Sequence, residues 1–210
     1  MCMIGVISGY RTGSTTLIEG LSTLFGLDYN PMHTGELDFA HGHYYLPHRD
    51  DMIYKFMPQS ARHRESELWE SIHEDWLSKS QLIFSLRHDV TAQIKSYYLA
   101  TMTGVWHGEM NPIQSYNNVH STDFKTVADV QTDICMKMNR DTLEEFKESF
   151  VQNLQMQNEI YEQYGGVISV LERRSELDYK PYISPFVLPE QLRTWESGII
   201  LKNHFPHYKY

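Results

Sequence analysis

The chain has 210 residues, of which 27 are acidic and 18 basic, so its formal charge is −9 with histidine neutral. A hydrophobic share of 41% against 21% charged residues excludes wholesale disorder and fits one packed α/β domain over 1–210. The acidic balance argues against nucleic acid or an anionic membrane as the main partner, so any anion site must be built locally.

Met3-Ile-Gly-Val-Ile-Ser8 is an apolar run closed by Gly9, the pattern of a strand buried on both faces. After Gly9-Tyr-Arg-Thr-Gly13, residues Leu17, Ile18, Leu21, Leu24 and Phe25 recur at helical spacing until Gly26. Met52–Met57, closed by Pro58, reads as a second strand, and Leu68, Ile72, Trp76 and Leu77 mark a helix behind it. Gln81–Leu86 is a third strand with the exit turn Arg87-His-Asp89, followed by a helix carrying Ile94, Tyr97, Tyr98 and Thr101. Alternation of this kind predicts right-handed crossovers and a central parallel sheet with helices on both faces.

From Gly104 to about Asn139 the periodicity fades, and 103–139 reads as an irregular lid or acceptor-side insertion. Asp141-Thr-Leu-Glu144 resembles a capping box opening a long helix that ends at Gly165-Gly166. Val167–Leu171 supplies a fourth strand, and the proline-rich tail has room for a short helix near 190–195. Cys2 and Cys135 are too few for a disulfide framework or a zinc ribbon. The N-terminal apolar run has no basic flank and is too short for a signal or an anchor, so a cytoplasmic protein with no membrane partner is expected.

Two segments sit where an open parallel sheet binds ligands, beyond the carboxyl ends of its strands. Gly9–Thr16 combines glycines, helix N–H groups, the hydroxyls of Thr12, Ser14, Thr15 and Thr16, and the charge of Arg11. An ordinary strand-to-helix turn capped by Ser and Thr is the plainer alternative. The segment is not a Walker A loop, which has four residues between its glycines and a lysine after the second; here three separate Gly9 from Gly13, and Ser14 follows. Arg11-Thr-Gly-Ser-Thr-Thr16 instead resembles the 5′-phosphosulfate loop of sulfotransferases that use 3′-phosphoadenosine 5′-phosphosulfate (PAPS), a P-loop-like fold. The second segment, Arg87-His-Asp-Val-Thr-Ala-Gln-Ile-Lys-Ser96, is similar to the 3′-phosphate motif of the same family at Arg87, Asp89, Gln93 and Ser96. That serine spacing resembles the carbohydrate-modifying and bacterial branches more than the cytosolic hormone-type members.

The resemblance implies that Arg11, Thr12, Gly13, Ser14, Thr15 and Thr16 hold the 5′ side of PAPS and that Arg87 and Ser96 hold its 3′-phosphate. Lys55 matches the family's strand lysine. No histidine stands where hormone-type members carry their base, because Met57 occupies the position after Phe56. Gly35-Glu36 resembles a glycine–glutamate pair of other branches, which makes Glu36 the candidate base; a solvated loop carboxylate is the alternative. His33, His41, His43 and His48 crowd that stretch, but without a companion zinc motif they are read as acceptor-cleft or surface residues, with no metal. Trp106, His107 and Arg173-Arg174 are further candidates for contacting the nucleotide, although their spacing does not require it. The family's R-K-G cofactor-closing motif is absent from the tail, where only Lys202 offers a substitute.

The implied reaction is sulfuryl transfer to an acceptor hydroxyl on a carbohydrate, another small hydroxylated molecule or a protein tyrosine. A small-molecule kinase or other NTP-dependent transferase, and a catalytically silent nucleotide-binding protein, are the competing readings.

Overall fold

The computed structural model describes residues 3–29, 51–58, 77–106, 108, 110–174 and 184–209. The expected helix through Leu68, Ile72 and Trp76 lies outside them. By its internal contacts the described chain groups into two compact units: 1–88, 151–179 and 201–210 form one, and 89–150 and 180–200 the other.

The first unit is built on four parallel strands in the order β2-β1-β3-β4, with β1 Ile4–Ser8, β2 Ile53–Phe56, β3 Gln81–Leu86 and β4 Val167–Val170. All five residues of β1 are buried, as its unbroken apolar run requires of a central strand. Strand register sorts the side chains onto two faces. Ile4, Val6 and Ile53 pack with Leu17 and Ile18 of helix α1, Ser14–Phe25, on one face. On the other, Ile7 registers against Phe84, whose ring meets Tyr161 at 5.2 Å and Phe205 at 5.8 Å. Gly26, in the left-handed conformation at φ 64°, ends α1 as its position in the sequence predicts.

The second unit begins with α2, Val90–Thr103, whose N-cap Asp89 accepts from the Ala92 N–H at 2.8 Å. The stretch expected to be irregular instead carries α3, Pro112–His120, and α4, Val127–Lys137. Asn111 with Pro112 opens the first, and Thr126 capping Asp129 N–H opens the second. Helix α5, Arg140–Tyr164, starts ahead of the expected capping box, because Asn139 is its cap and accepts from Thr142 N–H at 3.0 Å. Residues of α5 up to Phe150 belong to this unit and those from Val151 to the first. The tail from Ser184 to Ile200 includes the short helix α6, Glu190–Arg193. It is fastened by the amide of Gln131, which donates to Val187 O at 2.8 Å and accepts from Val187 N–H at 2.9 Å. A further short helix, α7, Leu201–His204, which the sequence pattern did not reveal, returns to the first unit.

Candidate functional site

The order β2-β1-β3-β4 sends the chain from β1 to one side of the sheet and from β3 to the other, so the loops after these two strands diverge at a switch point. The loop Gly9–Gly13 and the exit Arg87-His88 therefore leave neighbouring strands at the carboxyl edge. Lys55 lies in β2 on the opposite side of β1, registered against Val6 and only 5% exposed.

The loop after β1 has an unusual backbone. Arg11 has φ 61° and Gly13 φ 70°, and for a residue with a side chain the left-handed region costs roughly 1–2 kcal/mol. What holds it there is Arg174, buried at the end of the 3-10 turn Leu171–Arg173 that follows β4. Its Nη1 donates to Thr12 O at 3.0 Å and Gly13 O at 3.1 Å, its Nη2 to Ser85 Oγ at 2.9 Å and Ser169 O at 2.8 Å, and its Nε to Ser169 Oγ at 2.9 Å. Every N–H of the guanidinium is thereby used inside the protein. Arg174, a further candidate for contacting the nucleotide in the sequence, is in the structure a clamp on the loop.

The clamp orients the loop's own donors. In a planar trans peptide the N–H points opposite to the C=O. With the Thr12 and Gly13 carbonyls turned to Arg174, the N–H groups of Gly13 and Ser14 face away from it. They run into the start of α1, where Gly13 is the N-cap and no side chain closes the first turn. Ser14, Thr15 and Thr16 occupy that turn. The Thr12 hydroxyl, expected to face a ligand, is spent internally: it donates to Gly9 O at 3.2 Å and lies 3.0 Å from Ser85 Oγ. Gly9 has a packing reason to be glycine, since a Cβ there would sit 2.8 Å from Asn153 Oδ1 of α5.

Beside the loop, register aligns Ser8, Ser85 and Ser169 across β1, β3 and β4. Ser85 and Ser169 bind Arg174, whereas Ser8 Oγ is buried without a hydrogen-bond partner among the described residues. A serine near the carboxyl end of each of three strands was the available sequence signal, visible only once the strands are aligned. Arg87 Nε lies 3.6 Å from Glu172 Oε1, and Glu172 Oε2 accepts from the His88 N–H at 2.8 Å. Glu172 is thus a third participant in this edge that the sequence reading missed. Ser96 is on α2 in the second unit. Trp106 meets Tyr97 with ring centroids 6.1 Å apart and the planes tilted by 49°. Glu36, the four histidines around it and His107 lie outside the described residues.

Among the described residues no group of three His, Cys, Asp or Glu side chains has the disposition to hold a metal ion. No helix of the described chain is long and apolar enough to cross a membrane. Neither family models, curated proteins nor solved structures give a match to this chain.

Proposed function

We propose that the chain transfers a sulfuryl group from PAPS to the hydroxyl of an acceptor. The observation that carries this reading is the clamped loop: strained at Arg11, with its peptide N–H groups turned away from Arg174 into the uncapped start of α1. Preorganised donors of this kind suit an anionic group, and the Arg87 motif leaves the adjacent strand.

In this reading the loop N–H groups and the hydroxyls of Ser14, Thr15 and Thr16 bind the 5′-phosphate side, and Arg87 with Ser96 selects the 3′-phosphate. The acceptor oxygen attacks sulfur in line, the new S–O bond forming as the bond to the phosphate oxygen breaks. Glu36 takes the acceptor's proton, and 3′-phosphoadenosine 5′-phosphate leaves. Arg11 and Lys55 stabilise the charge on the sulfuryl and leaving oxygens without a metal. Calorimetry with 3′-phosphoadenosine 5′-phosphate and ATP tests it. The 3′-phosphorylated nucleotide should bind at least about tenfold more tightly, a margin of about 1.4 kcal/mol. Equal affinity, or no binding, overturns the proposal.

One observation favours a second reading, a nucleotide-binding protein without catalysis: Arg87 already has a carboxylate neighbour in Glu172. Incubating labelled PAPS with a panel of sugars, phenols and tyrosine peptides separates the two. Transfer that disappears in Glu36→Gln supports the enzyme, and absence of transfer to the whole panel supports the silent protein.

A further inference from the structure

The turn after β4 carries two successive arginines with different surroundings. Arg174 is buried and fully bonded, as described above. Arg173 is exposed, with its guanidinium carbon 5.5 Å from the centre of the Tyr208 ring. That ring is fixed in turn by His88, whose Nδ1 lies 3.4 Å from the Tyr208 hydroxyl. Between β4 and the C-terminal segment is a cavity of about 270 Å³, floored by Ile168-Ser169-Val170 and walled by Arg173, Arg174, Tyr208 and Lys209.

Among the described residues that line this cavity, the charged side chains are all cationic. Among the described residues, no carboxylate pairs with Arg173 or Lys209. The adjacent carboxylate, Glu172, is engaged by Arg87 and the His88 N–H. Three cations converging on one concave wall are out of keeping with a chain of charge −9, where surface cations have acidic neighbours to choose from. Arginine presents a planar fork of donors that matches a tetrahedral oxyanion, and lysine adds a mobile point charge.

We propose that this cavity binds a tetrahedral oxyanion, phosphate or sulfate, through Arg173 and Lys209. Arg174 contributes charge but no donor, since its N–H groups are committed. The site is separate from the loop after β1 and does not depend on the sulfuryl-transfer reading.

The test titrates the full chain with sodium phosphate and sodium sulfate at ionic strength matched by sodium chloride, following calorimetric heat and Tm. At ten times its Kd, phosphate should raise Tm by about 3–5 °C over chloride. Arg173→Gln should weaken phosphate binding at least about tenfold and Lys209→Gln about threefold or more, while Lys125→Gln, at an exposed cation of the second unit, leaves it unchanged. An equal effect of chloride overturns the proposal, as does phosphate affinity unaltered in Arg173→Gln, which would put the anion elsewhere. Should Arg173→Gln fold poorly, Arg173→Lys keeps the charge and loses the fork; unaltered phosphate affinity in that variant also overturns it.

Discussion

Arg174 Nη1 donates to the carbonyl oxygen of Thr12 across 3.0 Å of space and 162 residues of sequence. With its four companion bonds, this contact fixes the peptide planes of the candidate phosphate loop. Arg174→Gln removes five hydrogen bonds from a buried cation, although Ser85 Oγ still donates to Thr12 O at 3.3 Å and Leu17 N–H to Gly13 O at 3.1 Å, and should destabilise the protein by about 1–3 kcal/mol. Arg174→Lys keeps the charge but not the planar fork, so it should recover only part of that loss. Urea unfolding of the two variants checks this; a lysine variant as stable as the parent would show that the fork is not what holds the loop.

Gly9 and Asn153 make a second constraint on the same loop. A Cβ at position 9 would lie 2.8 Å from Asn153 Oδ1 and 3.3 Å from Gln157 Nε2, and these two amides are themselves bonded at 2.5 Å. Gly9→Ala should therefore cost about 1–3 kcal/mol through overpacking. Asn153→Ala opens the space, so the double variant should be more stable than the sum of the single effects by at least about 0.5 kcal/mol. Simple additivity in thermal unfolding would remove the packing explanation for this glycine.

Glu172 competes for the arginine that the proposed function assigns to the 3′-phosphate. Both side chains are partly exposed, 24% for Arg87 and 37% for Glu172, so losing the pair should change stability by less than about 1 kcal/mol. Glu172→Gln removes a negative charge from the place where a phosphate is proposed to bind. Its affinity for 3′-phosphoadenosine 5′-phosphate should rise by about three- to tenfold. Calorimetry showing weaker binding in this variant would argue that Arg87 does not meet the phosphate.

Asp133 gives the second unit a pH dependence of definite sign. Burial pushes its carboxyl upward, but the hydrogen bonds from Lys137 and Tyr116, each at 2.6 Å, together with the charges of Lys137 and His120, hold it below the ordinary carboxylate value. A group depressed in the folded state stabilises above its unfolded pKa of about 4, and that contribution is lost as pH falls through the folded value. Tyr116 runs the other way: burial first, then the bond and charge of Asp133, raise its phenol, so its contribution fades as pH climbs past about 10. Asp133→Asn should cost about 1–2 kcal/mol at pH 7 and should lose less stability than the parent between pH 5 and pH 3. Parallel urea midpoints for parent and variant across that range would contradict the assignment.

Local signals carried much of the fold. The run Met3–Ser8 foretold β1, Gln81–Leu86 is β3 with the expected bounds, and Gly26 stops α1 where the periodicity ends. The two helices between Gly104 and Asn139 went unread because they bury few side chains, Tyr116 in one and Val130 and Ile134 in the other, although Asn111-Pro112 and Thr126-x-x-Asp129 are start signals in their own right. Two units were not legible, because the tail's attachment through Gln131 and Val187 joins positions 56 residues apart. The site divides in the same manner. Loop and strand-end motifs are contiguous in sequence and could be found, whereas the serine row and the Arg174 clamp depend on strand alignment and on a residue far along the chain.

The clamp also sets the order in which the protein can become competent. Residues 4–25 hold the strand, the loop and the helix of the candidate anion site, yet the loop's peptide orientation depends on a side chain that follows the last strand of the sheet. Long-range closure of this kind comes late in folding, after local helices have formed. A ribosome-bound or truncated chain ending before β4 would carry the whole Arg11–Thr16 motif without the means to shape it. The shape of the loop after β1 is therefore a property of the completed sheet and not of the motif that spells it.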